Sequence, residues 1–220
     1  MAARTDYSGP VLFSFGFRPF FLGACLFALL AIPAWLLIWQ GTLGYSGPFL
    51  PTDWHIHEMI FGYGAAVVAG FLFTAVPNWT GRMPARGWPL ALLSGLWLLG
   101  RVAAAGWLGL PALGVMVADC AFLAAVVVMI AREIIAGENW RNLKVLVPIT
   151  LLGLANACFH IEAMTEGAAD ISRRLGIAVL IFLIMLIGGR IIPSFTRNWL
   201  AKHGAEKMPV PFGKFDGVTL

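Results

Sequence analysis

The run Pro51-Thr52-Asp53-Trp54-His55-Ile56-His57-Glu58-Met59 gathers two imidazoles, two carboxylates and a thioether. A second group, Cys158, His160, Glu162 and Met164, follows much later in the chain, and His160 and Met164 stand four apart on one helical face. Three of the four histidines fall in these two stretches. Neutral imidazole is the usual axial ligand of low-spin b-type haem and also a good copper ligand, while a thioether suits Cu(I). His55, His57 and His160 are therefore candidate ligands, with Glu58 and Met59 beside the first two. Spacing does not choose between the two metals. The plainer reading, that each imidazole bonds interfacial water or a backbone carbonyl, suits any one of them better than all three together.

The elements that must position these groups follow from composition. Of 220 residues, 60% are hydrophobic and only 12% charged, with a mean hydropathy of +0.83. That balance makes lipid the solvent. Six stretches approach the roughly 20 apolar residues that cross a bilayer. They are Phe17 to Trp39, Ile56 to Val76, Pro89 to Gly106, Leu110 to Ala131, Leu143 to Ala163 and Leu175 to Ile192. Lipid offers no partner to open backbone groups, so each is expected to be a helix. The expected fold is all-α: a polytopic transmembrane bundle of about six helices over residues 1–200. Residues 201–220 read as a polar inner tail or the loop to a missing second half.

The net charge of +4 does not point to nucleic acid, because the basic residues lie between apolar spans rather than in one patch. Twelve fall on inner segments (Arg4, Arg18, Arg82, Arg86, Arg132, Arg141, Lys144, Arg190, Arg197, Lys202, Lys207, Lys214). Arg173 and Arg174 lie in an outer segment, and Arg101 within the third span. The positive-inside rule then places both termini in the cytoplasm and the three histidines at the outer face. His203, in the inner tail, reads as solvated. Arg18 and Arg190 are candidates for holding haem propionates or another anion, against the plainer role of headgroup anchoring.

Helical geometry refines the first cluster. Thr52 or Asp53 is the expected N-cap of the second span. At 100° per residue, His55 shares a face with Glu58, Met59, Gly62, Ala66 and Ala69, while His57 points about 200° away beside Phe61 and Gly64. The two histidines then serve one site only if the first turn is unwound, or else two sites. Asp119, inside the fourth span, needs a partner, and Arg101 is a candidate. Trp97 alone among the tryptophans sits deep in a span. Cys25, Cys120 and Cys158 form no CxxC or CxxCH and are expected to be buried small hydrophobes.

Four segments resemble the NnrS family of bacterial membrane proteins: Phe15-Gly16-Phe17-Arg18-Pro19-Phe20-Phe21, Trp54 to Met59, Ala69 through Trp79-Thr80-Gly81, and Gly188-Gly189-Arg190 through Asn198-Trp199. The resemblance implies a multi-pass protein of the bacterial cytoplasmic membrane that binds haem and copper and serves nitric oxide metabolism or nitrosative stress defence. Family members are about twice as long, with about twelve spans. This chain is then expected to be a fragment, or a half-length member completed by a second copy as a homodimer. The contrasting expectation is a proton- or copper-handling transporter, or a structural membrane subunit, without haem.

Overall fold

The computed structural model describes residues 7–205, 207–211, 213, 215 and 216. Arg4 and Lys214, counted above among the inner cations, lie outside them. Each expected span is a helix: α1 Phe17–Trp39, α2 Pro51–Thr80, α3 Trp88–Ala104, α4 Ala112–Ala136, α5 Leu146–Glu166 and α6 Ile171–Lys202. No strand occurs among the described residues. All but α3 are long and apolar enough to cross a membrane. The 17 residues of α3 span about 25 Å, the short end of what a bilayer accepts. The chain is a polytopic, all-helical membrane protein.

Two compact units divide it, Met1–Gly176 and Ile177–Leu220, with α6 running from one into the other. In the first, α2 is the central helix: 72% of its most apolar window is buried, against 11% for α1. It packs on α1 and α4, while α4 also packs on α3 and α5. Ala65, Ala66, Ala69 and Gly70 are buried on α2, and small residues let neighbouring backbones come close.

The middle of α2 is not regular. From Glu58 to Gly64 the backbone is a π-helix, whose wider turn carries more residues than an α turn. The face assignment made from 100° steps does not survive it. Glu58 turns inward beside His57, while His55 faces α1, its ring stacked on Trp35 at 4.1 Å. Trp97 explains its depth here: its indole N–H donates to the carbonyl of Gly62, 2.9 Å away, inside the wide turn.

The expected N-cap is also displaced. Leu50 caps α2, and Pro51 fills the first helical position, where a missing N–H costs nothing. Asp53 is thereby released, and its carboxylate instead accepts from the Ala169 N–H at 3.1 Å, in the α5–α6 connection. Arg173 lies 4.0 Å from the same carboxylate. At the end of α5, Glu162 accepts from the backbone N–H groups of Asp170, Ile171 and Ser172, and from the Ser172 hydroxyl. It therefore satisfies the open amides that begin α6.

The connection between α1 and α2 is fastened by Tyr45, whose hydroxyl donates to the Ala104 carbonyl at 3.1 Å and accepts from the Phe49 N–H. Gly106 (φ +81°) makes this approach feasible, since a Cβ there would meet the Ser46 backbone at 2.5 Å. Burial pushes the Tyr45 phenol well above the usual tyrosine range. The cysteines depart from expectation: Cys25 and Cys158 are exposed on their helices and Cys120 is half-buried. An apolar side chain gains little from the core when the outer face of a span is itself apolar.

In the second unit, α6 continues past Pro193 to Lys202. Arg197 donates to the Pro209 carbonyl at 2.8 Å, and Trp199 stacks on His203 at 3.9 Å. His203 is exposed, as expected of a solvated residue.

Candidate metal centre

Four helices place charged and polar groups around one buried point, and a fifth lines it. His57 and Glu58 come from α2, Arg101 from α3, Asp119 from α4, and Asn156 and His160 from α5, and all six are buried. The fifth helix, α1, contributes the Phe27 ring, 5.9 Å from the Arg101 guanidinium.

The first pair stands where α2 passes from α-helix to π turn. His57 Nδ1 lies 3.0 Å from Glu58 Oε1, and Arg101 Nη1 donates to Glu58 Oε2 at 2.8 Å. The other arm of Arg101 donates to Asp119 Oδ1, so the pairing expected for Asp119 is made. Two glycines leave room for it. A Cβ at Gly62 would stand 2.3 Å from Arg101 Nη1, and one at Gly100 would stand 2.8 Å from Asp119 Oδ1.

Asp119 Oδ2 is the point on which the remaining contacts converge. His57 Nε2 lies 3.1 Å from it, His160 Nε2 3.0 Å, and Asn156 Nδ2 donates to it at 2.8 Å. His57 Nε2 also lies 2.9 Å from Asn156 Oδ1. Both ring nitrogens of His57 thus face acceptors alone, an arrangement that suits a ring carrying both protons. The charges of His57 and Arg101 then cancel those of Glu58 and Asp119. Such cancellation is what lets ionised groups persist in a low-dielectric interior.

One ligand atom from each of His57, Asp119 and His160 lies within 4.8 Å of the others. Two imidazole nitrogens and a carboxylate oxygen are a donor set for a first-row transition metal. Bonds of about 2 Å to each would need only small adjustments. Copper as a bare ion fits these residues. Haem between the two histidines does not. Their rings meet edge to face with centroids 5.1 Å apart, both Nε2 atoms converge on one carboxylate oxygen, and Asn156 bonds to both His57 and that oxygen. Phe49 lies 4.7 Å from the His57 ring and 5.0 Å from that of His160, and Phe61 and Phe159 close the other sides. No space for a macrocycle is left among them.

The remaining candidates lie elsewhere. His55 is half-buried against Trp35, with its Nδ1 and the Trp35 indole N–H both buried and without a partner. Met59 is half-buried just past Glu58, and Met164 is exposed on α5. Arg18 sits at the far end of α1, donating to the Val11 carbonyl at 3.1 Å and lying over Phe15 and Phe17. The neighbouring Gly16 is held against Phe73, about 24 Å further along α2 than His57. Arg18 and His57 cannot touch one haem. Arg190 is exposed on α6 in the second unit.

Asn156 escaped the reading of the sequence, although a signal was present. It lies four residues before His160 and therefore on the same helical face. Arg101, expected within the third span as a partner for Asp119, is buried there between two carboxylates.

No curated protein and no solved structure matches the chain. The model of the NnrS protein family matches residues 11–219, nearly its whole length, and the chain belongs to that family.

Proposed function

We propose that this protein is a metal-binding component of the bacterial cytoplasmic membrane that serves nitric oxide metabolism or nitrosative stress defence. Membership of the NnrS family supports the physiological part. The observation that carries the chemical part is the buried His57, Asp119 and His160 group, whose ligand atoms lie within 4.8 Å of one another. Copper is the metal assigned to it. When bound, it would supply a redox-active centre with affinity for small diatomic ligands. His57 and His160 would hold the ion, Asp119 would complete the donor set, and Arg101 with Asn156 would orient Asp119. The phenylalanines exclude water. Haem, which the family resemblance implies, is assigned to no pair of histidines within this bundle. His55 is the remaining intramembrane imidazole.

The test is metal analysis of the detergent-purified chain alongside survival of cells exposed to a nitric oxide donor. His57→Ala and His160→Ala should each lose the copper and the protection together. Retention of both in both variants would rule the site out.

A second reading rests on the His57 ring facing only acceptors. The same cluster would then hold a proton within the membrane, as a transporter requires. Proton uptake by proteoliposomes that is indifferent to copper and lost in His57→Ala would favour it.

A further inference from the structure

We propose that the His57, Asp119 and His160 centre selects a singly charged metal ion, copper(I) in kind, through the fixed charge built around it. The inference rests on the metal-centre reading above and adds to it the charge of the ion.

A metal ion binds an imidazole nitrogen through its lone pair and so displaces the Nε2 proton of His57, after which the two histidines count as neutral ligands. The groups that remain are Glu58, Asp119 and Arg101, all buried and tied together through the two arms of the guanidinium. Two carboxylates and one guanidinium leave a single negative charge. A singly charged ion brings that to zero. A divalent ion leaves a positive charge stranded in a shell of Phe49, Phe61 and Phe159. Uncompensated charge is costly in such surroundings, because little solvent is present to screen it. Sodium and potassium carry the right charge but prefer oxygen, whereas two imidazole nitrogens suit a softer ion.

Glu58 and Arg101 matter here without being ligands. Glu58 bonds to the outer nitrogen of His57 and Arg101 to the outer oxygen of Asp119. Each orients a ligand, and together they set the charge. Gly62 and Gly100 show that this arrangement is built into the backbone, since a side chain at either would collide with it.

The experiment alters the fixed charge while leaving the three ligands in place. The full chain, purified in detergent micelles without oxygen, is titrated with Cu(I) held by bathocuproine disulfonate and separately with Zn(II) held by a colorimetric chelator. The quantity read is the ratio of the two affinities. Arg101→Gln makes the surrounding charge doubly negative and should shift the ratio toward Zn(II) by about a hundredfold, the effect of one unit charge at about 6 Å in an effective dielectric of about 20. Glu58→Gln removes a negative charge and should move the ratio the opposite way by a similar factor. A ratio unchanged in both variants overturns the inference while the metal centre stands. Failure of the unaltered chain to bind either ion overturns both. If Arg101→Gln does not fold, the direction of the Glu58→Gln shift decides alone.

Discussion

His57 and His160 stand far apart in the chain yet meet edge to face at 5.1 Å, with both Nε2 atoms directed at one oxygen of Asp119. That single oxygen couples α2, α4 and α5. It makes Asp119 the residue on which both the packing and the chemistry of the bundle depend.

Asp119→Asn is expected to be more damaging than any single histidine substitution. It leaves the charges of His57 and Arg101 with Glu58 as their single partner inside the bundle, and breaking a buried ionic pair this way costs about 3–5 kcal/mol. A thermal unfolding scan in detergent should show a large fall in Tm, with loss of bound metal. A stability within about 0.5 kcal/mol of the parent chain would mean that the network does not hold the helices.

Glycine substitutions separate close approach from helix propensity. Gly62→Ala places a methyl group 2.3 Å from Arg101 Nη1, so the guanidinium must move. The expected loss is about 1–3 kcal/mol. Gly95→Ala, on the same α3 that carries Arg101, meets nothing within 4 Å and should be neutral or stabilising by up to about 1 kcal/mol. Equal effects of the two in parallel melts would count against the packing described.

Glu162→Ala removes the acceptor for three backbone amides at the start of α6. Loss of such a cap costs about 0.5–2 kcal/mol. Hydrogen exchange should accelerate at Asp170, Ile171 and Ser172 while metal content is unchanged. Loss of metal in this variant would show that the α5–α6 connection shapes the centre, contrary to expectation.

Tyr45 predicts a pH dependence. Its folded pKa is raised by burial, so the neutral phenol is the form the fold favours. Its contribution is fully present below the unfolded value of about 10 and is lost as pH climbs from there toward the folded one. Tyr45→Phe should flatten this alkaline decline in stability, at the cost of about 1 kcal/mol at neutral pH from the lost bond to Ala104. An unchanged alkaline limb would assign the decline to other groups.

The six helices were legible because hydropathy reads directly as lipid-spanning length, and the spans from Phe17 and Leu143 fall on α1 and α5. The pairing of Asp119 with Arg101 was legible too, since a charge in lipid demands a partner. What could not be read was rotation. A uniform 100° step put Glu58 with His55, whereas its carboxylate bonds the neighbouring His57. Asn156 went unnoticed because an uncharged amide carries no signal of cost until its neighbours are known. The exposed Cys25 and Cys158 were misjudged for the opposite reason: in a lipid-facing helix, apolar character says nothing about which side is inside.

The wide turn from Glu58 to Gly64 gives α2 a surplus of backbone. A π turn is equivalent to one residue inserted into an ordinary helix. Taking a residue out between 58 and 64 would allow the helix to close up as regular α, keeping Ala65–Thr80 in its packing while swinging the His57 end around by about a quarter turn. A single deletion would thus dismantle the centre and spare the scaffold. Length, as much as the identity of its side chains, is what this stretch of helix holds in reserve for function.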